Sequence, residues 1–158
     1  MKKNILVPFD GSINATDALK EAIALAKALG ERIVLLNAQP TFETVHTKIF
    51  FSPKDVEEYR EQLCHEAVAP ALEILKNSGT PFEIRMRAGN PKDVILQEAR
   101  QGEGVRMIVM GSRGLKVVAG FFLGSTSFGV LQEAACPVMV VPYRQPEDNV
   151  PEITLIST

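Results

Sequence analysis

Five short runs rich in β-branched and aliphatic residues, each separated from the next by a helical pattern, constrain this chain more than any other feature. The runs are Asn4–Pro8, Ile33–Ala38, Phe82–Arg87, Met107–Met110 and Val138–Val141. Most are apolar at successive positions, which suits strands buried on both faces of a parallel sheet. After the first run, Leu19, Ala22, Ile23, Ala26 and Leu29 recur at three- and four-residue spacing, one face of a helix that Gly30 can end. Asn90-Pro91 opens a shorter helix with Val94, Ile95, Leu96 and Ala99 on its apolar face, and a last helix is expected over Ser127–Ala135. Strands and helices in strict alternation, joined by right-handed crossovers, predict an α/β fold: a three-layer α/β/α sandwich around a parallel sheet. Such sheets bind ligands at the carboxyl ends of their strands, where the strand order reverses.

Between Gln39 and Phe51 the periodicity lapses, and a loop is expected. Ser52-Pro53-Lys54-Asp55 then has the marks of a helix start: a serine cap, a proline in the first turn and an acid at the positive end of the dipole. That helix is expected to reach Lys76, with a kink or break at Pro70, which lacks a backbone donor. A length of 158 residues suits one domain, here read over residues 1–143, with 144–158 as a C-terminal extension. The extension begins polar and ends Ile153-Thr154-Leu155-Ile156, a strand added to another chain or a frayed tail.

Composition removes several function classes. Hydrophobic residues at 46% and charged residues at 23% exclude a mainly disordered chain. A net charge of −2 gives no sequence-wide basic field, so nucleic acid is not an expected partner. Cys64 and Cys136 are too few for a disulfide scaffold and lack CxxC spacing, which points to a reducing, cytoplasmic setting. The apolar run from Ile5 ends at Asp10, too short for a signal peptide, and no run approaches the ~20 apolar residues of a membrane span. No membrane association is expected.

The stretch that carries chemistry runs from Gly111 to Ser127. It reads Gly111-Ser112-Arg113-Gly114, then nine residues, then Gly124-Ser125-Thr126-Ser127 at the opening of a helix. Glycines let a backbone approach a ligand closely, and a helix start offers unpaired N–H groups and the positive end of a dipole. Ser125, Thr126 and Ser127 add hydroxyls, and Arg113 and Lys116 add cations. The loop is neither a Walker A nor a Gly-x-Gly-x-x-Gly motif, so the residues alone leave open a sharp turn as the reason for its glycines. The other strand ends complete a pocket. Pro8-Phe9-Asp10 and Met110 lie beside the loop, and the main chain at Ala38 is placed to meet a purine edge. Asp10 can accept a sugar hydroxyl or a metal, or simply cap the first helix as Ser12 can.

Catalytic constellations are poor. His46 and His65 are the only histidines, and neither has metal-ligand spacing to a partner. No Gly-x-Ser-x-Gly elbow occurs. Cys64 and Cys136 read as packing residues, and Asp55, Glu57, Glu58 and Glu61 read as a solvated helix face. No protein metal site is expected.

Residues 3–143 resemble the universal stress protein family. The resemblance is carried by Asn4-Ile5-Leu6-Val7-Pro8-Phe9-Asp10-Gly11-Ser12, Gly89-Asn90-Pro91, Ile108-Val109-Met110-Gly111-Ser112-Arg113-Gly114, and Gly124-Ser125 through Cys136-Pro137-Val138. Gly111, Gly114, Gly124 and Ser125 satisfy the Gly-x2-Gly-x9-Gly-[Ser/Thr] signature of its ATP-binding branch. The resemblance implies a Rossmann-like nucleotide-binding fold with strand order 3-2-1-4-5. It also implies a homodimer through the last strand, Val138–Val141, and ATP across the ends of strands one and four. In that arrangement Asp10 lies by the nucleoside and Ala38 by the adenine. Gly111, Arg113 and Gly114 line the ribose and first phosphate. Gly124, Ser125, Thr126 and Ser127 hold the remaining phosphates, with Mg²⁺ or Mn²⁺ between oxygens. ADP, AMP or a cyclic nucleotide fits the same signature. Two departures stand out: Arg106 replaces a common acid, which puts a local ion pair in question, and Ala38 replaces a commoner valine.

Three functions follow as expectations. The first is a nucleotide-dependent stress-response or signalling module, with an unidentified protein partner and little or no hydrolysis. The second is a slow ATPase or nucleotidyl transferase, although the Ser-Gly-Gly-x-Asp-Ser loop of related pyrophosphatases is replaced here by Phe9-Asp10-Gly11-Ser12. The third is a protein-interaction module that binds no nucleotide.

Overall fold

A computed structural model describes residues 3–102, 104–114 and 123–143. In chain order the elements are β1 (Asn4–Pro8), α1 (Ile13–Leu29), β2 (Arg32–Gln39), α2 (Val45–Phe50), α3 (Pro53–Ser78), β3 (Phe82–Ala88), α4 (Pro91–Gln101), β4 (Val105–Gly111), α5 (Ser125–Glu133) and β5 (Val138–Val141). The five strands form one parallel sheet in the order β3-β2-β1-β4-β5. This is the α/β/α sandwich expected from the alternating pattern, with the Rossmann-like strand order that the family resemblance implies.

Strand side chains alternate between two cores. Ile5, Val7, Ile33, Leu35 and Val109 pack on one face with Leu19, Ala22 and Ala26 of α1 and Val68, Ala71 and Leu75 of α3. Leu6, Val34, Leu36, Ile108 and Met110 pack on the other with Val94, Ile95 and Leu96 of α4 and Val130 of α5. Because both faces are covered, the inner strands are apolar at nearly every position, as the sequence showed.

Three expectations need correction. Gln39–Phe51 is not all loop, since Thr44 caps the short helix α2. Helix α3 continues to Ser78 and runs as one element through Pro70. Pro70 is exposed, so the carbonyl its ring leaves unbonded faces water rather than the core. Helix α5 starts at Ser125, within the Gly124–Ser127 stretch expected to open it, and ends at Glu133 rather than Ala135. The Arg106 question is also answered, because Arg106 pairs at 2.6 Å with Glu31, whose side chain is 4% exposed. Lys116 and the extension 144–158 lie outside the described residues. Among the described residues no helix is long and apolar enough to cross a membrane.

Candidate functional site: a glycine-framed cleft at the strand ends

β1 and β4 are neighbours in the middle of the sheet, yet β1 feeds α1 on one face while β4 leads to α5 on the other. The chain therefore parts at their carboxyl ends, and a cleft of about 420 Å³ opens there. All twelve residues singled out in the sequence line it. Pro8, Phe9 and Asp10 come from the end of β1 and Ala38 from β2. Met110, Gly111, Arg113 and Gly114 follow β4, and Gly124, Ser125, Thr126 and Ser127 open α5. Four residues the sequence reading did not assign also line it: Ala15, Leu36, Pro91 and Ile95. Pro91 has a sequence signal, since Gly89-Asn90-Pro91 is among the stretches that carry the family resemblance, and Ile95 stands one helical turn beyond it. The cleft thus has an apolar end at β2 and α4 and a polar end at the β4 loop and α5.

The polar end rests on an unusual helix start. Ser12 caps α1, Thr44 caps α2, Ser52 and Asp55 form a capping box on α3, and Asn90 caps α4. At α5 the cap residue is Gly124, and no side chain accepts from the first turn. The Ser125, Thr126 and Ser127 N–H groups therefore keep their donor capacity beside the cleft, with the positive end of the dipole behind them. The Ser127 hydroxyl donates to the Gly111 carbonyl at 2.8 Å and is buried. Its proton is thus committed, and Ser127 offers the cleft its backbone rather than its side chain.

Glycines hold the frame open. A Cβ at Gly114 would stand 2.9 Å from Asp10 Oδ2, and one at Gly124 would stand 3.2 Å from the Ser112 carbonyl. Asp10 itself is divided between two tasks. Oδ1 accepts from the Ser12 N–H at 2.9 Å, while Oδ2 points toward Gly114 across the cleft. The cap of α1 is Ser12, whose Oγ accepts from the Ala15 N–H at 3.1 Å, so Asp10 supports that turn without being its cap.

Two buried amides fix the walls. Asn14, 1% exposed, accepts from the Arg113 N–H at 2.9 Å through Oδ1 and donates to the Val141 carbonyl at 3.1 Å through Nδ2. It ties α1, the β4 loop and the end of β5 together. A Cβ at Gly111 would come within 2.7 Å of that amide, so this glycine is set by packing. Asn37, also 1% exposed, donates to the Phe9 carbonyl at 2.8 Å and accepts from Gln39 at 2.7 Å. Sequence reasoning missed both, because an Asn inside an apolar pattern announces no partner.

Arg113 lines the cleft with its guanidinium 5.4 Å from the centroid of the Tyr143 ring. By contrast, Lys92 near the start of α4 is held by Glu133, whose hydrogen bond raises the Lys92 pKa. His46 lies on α2 and His65 on α3, and neither lines the cleft. Cys64 and Cys136 both have thiol pKa values pushed up by burial, which keeps them protonated and poor nucleophiles. Among the described residues no three His, Cys, Asp or Glu side chains converge on a metal-sized site.

Fold and cleft together define a doubly wound α/β protein with an anion-ready helix start at its switch point. The universal stress protein family model matches residues 1–142, and the chain belongs to that family. It is 37% identical over 142 residues to a universal stress protein of Thermus aquaticus, covering 89% of this chain and 99% of that one. A hypothetical protein solved as a test case for structure-based assignment of biochemical function is 30% identical. It superposes with a TM-score of 0.75, covering 92% of this chain and 99% of its own. A family member from Arabidopsis thaliana, solved with AMP bound, shares the fold at 22% identity with a TM-score of 0.63, covering 95% and 97%. Two further neighbours of this fold, at 22% and 21% identity, were solved with cAMP and dAMP.

Proposed function

We propose that this chain binds ATP in the cleft and acts as a nucleotide-dependent stress-response or signalling module, hydrolysing ATP slowly or not at all. The observation that carries the reading is the uncapped start of α5, facing a cleft whose glycines leave room for phosphates. Gly124 contributes no competing acceptor, so a phosphate oxygen can take the first-turn N–H groups. The neighbours solved with AMP, cAMP and dAMP support the reading in that this fold, in those proteins, accommodates a nucleotide.

In this arrangement the apolar end formed by Leu36, Ala38, Pro91 and Ile95 receives the base, with the Ala38 main chain at its edge. Asp10 Oδ2 accepts from the ribose, Gly111 and Gly114 allow the first phosphate close to the backbone, and Arg113 offsets its charge. Ser125, Thr126 and Ser127 hold the outer phosphates. Mg²⁺ or Mn²⁺ is held through phosphate oxygens, where it offsets their charge. Slow turnover follows from the chain's own residues, since neither histidine reaches the cleft and the Asp10 carboxylate is half engaged with Ser12.

The second reading is an AMP or cyclic-nucleotide binder, favoured by the same neighbours. Identifying the nucleotide released from freshly purified, denatured protein separates the two. Near-stoichiometric ATP supports the first reading, and AMP or cAMP supports the second. Protein that is empty, and that takes up none of these with Mg²⁺ by calorimetry, overturns both. Cytoplasmic placement and a homodimer belong to the same proposal. β5 is an outer strand with four half-buried residues, the kind of edge a second copy covers. A monomeric mass by light scattering at micromolar concentration would remove the dimer.

A further inference from the structure

Of the arginines of the described fold, Arg32, Arg60, Arg85, Arg87 and Arg106 each pair with a carboxylate. Arg100 and Arg113 do not pair so among the described residues, and of these two only Arg113 lines the cleft. Its Nε is buried without a hydrogen-bond partner there, and its guanidinium lies over Tyr143. Tyr143 is itself held in place. Its N–H donates to Ser112 Oγ at 2.9 Å, and two residues earlier the Val141 carbonyl accepts from the Ser112 N–H at 2.9 Å and from Asn14. A ring fixed to the loop's own backbone thus carries the one cation that, among the described residues, follows Gly111 into the cleft wall.

We propose that Tyr143 is a positioning residue for the nucleotide cleft, holding the Arg113 guanidinium at the rim so that it meets phosphate without first being ordered. The inference rests on the proposed nucleotide site. A cation within about 6 Å of a ring centroid is attracted by the negative face of the ring. An arginine held this way loses less side-chain freedom when an anion binds. The ring leaves the guanidinium its full charge, which a carboxylate partner would have neutralised. Phosphate affinity therefore depends on Tyr143, and affinity for the nucleoside alone does not.

The test compares Tyr143→Leu and Tyr143→Phe with the parent protein, titrated calorimetrically with Mg-ATP, AMP and adenosine. Nuclear magnetic resonance of the Arg113 Nε–H follows the side chain in the free protein. The expected result is a roughly 3- to 5-fold loss of ATP and AMP affinity in Tyr143→Leu, with adenosine affinity unchanged and Tyr143→Phe restoring the parent behaviour. The Nε–H signal, displaced by the ring current in the parent and in Tyr143→Phe, should return to its random-coil position in Tyr143→Leu. In an Arg113→Met background, Tyr143→Leu should have no further effect. Equal losses for ATP and adenosine would mark a merely structural role and overturn the inference, as would unchanged ATP affinity or an unmoved Nε–H signal. A parent protein that binds no nucleotide overturns the proposed function and this inference with it. A parent that binds while Tyr143→Leu shows no phosphate-dependent loss overturns this inference alone.

Discussion

Helices α1 and α5 both start at the cleft, after the two central strands, and their starts are built in opposite ways. At α1 the hydroxyl of Ser12 accepts from the Ala15 N–H, and the carboxylate of Asp10 accepts from the Ser12 N–H. The third N–H of its first turn and the N–H of its cap residue are thus closed by the chain itself. At α5 the cap is Gly124, no side chain closes the turn, and the Ser127 hydroxyl is turned away to Gly111. The α1 start is completed for stability. The α5 start forgoes a side-chain cap at a cost of only about a few tenths of a kcal/mol, because glycine is itself a tolerated cap residue, and it leaves its first-turn donors without a side-chain acceptor. An uncapped helix that begins in solvent says little, but one that begins at a switch-point cleft is the feature on which the proposed binding rests.

The largest effect should come from making α5 resemble α1. Gly124→Asp places a carboxylate where a phosphate oxygen is proposed to sit. The backbone there has φ −71 and ψ 161, the usual cap conformation, so the residue is tolerated once Ser112 gives way slightly. ATP affinity should fall about 100-fold, close to 2.7 kcal/mol, while the thermal midpoint holds. Calorimetry and a melting curve report the two quantities, and retained affinity would show that the α5 donors are not the phosphate site.

Asn14→Ala attacks what the two starts share. It strips the Arg113 N–H and the Val141 carbonyl of a buried partner, a cost of about 2 kcal/mol or roughly 4–8 °C in melting temperature for a chain this size. Because the same amide sets the β4 loop, ATP affinity should fall as well. Loss of stability with affinity intact would mean the loop keeps its shape without Asn14.

What was legible in the sequence follows the same division. The strand ends could be read because continuous apolar runs stop where glycines, Asp10 and Pro8 begin, so residues that line the cleft stand in the sequence as short local motifs. Asn14 could not be read, since its partners are 99 and 127 residues away and nothing local marks them. Helix α2 escaped for the converse reason. Val45, Ile49 and Phe50 are 67–73% exposed, so they mark no core face and leave no periodic signal. At Pro70 the helix is not broken, because a proline on the exposed side of a long helix interrupts one bond and not the element.

Ser12→Ala opens the α1 start instead and should do the reverse of Gly124→Asp. Stability should fall by about 1 kcal/mol, roughly 2–4 °C, with ATP and adenosine affinity both unchanged. A selective loss of ATP affinity would make α1 a second anion site and erase the contrast between the helices.

The smallest effect should come from a site that belongs to neither start. Glu83 on β3 takes hydrogen bonds from Arg85 and Arg32, and the Arg85 bond is the main cause holding its carboxyl below the ordinary range. A carboxyl depressed in the fold adds stability above its unfolded pKa and loses it as pH falls through the folded value. Its side chain is 40% exposed, so solvent screening keeps that contribution under about 1 kcal/mol. Glu83→Gln should lower the melting temperature slightly at pH 7, and the gap from the parent should close as pH falls below about 4. ATP affinity should not change. If it did, coupling would run from the outer strand through β2 to Ala38, and the cleft could no longer be treated as two helix starts alone.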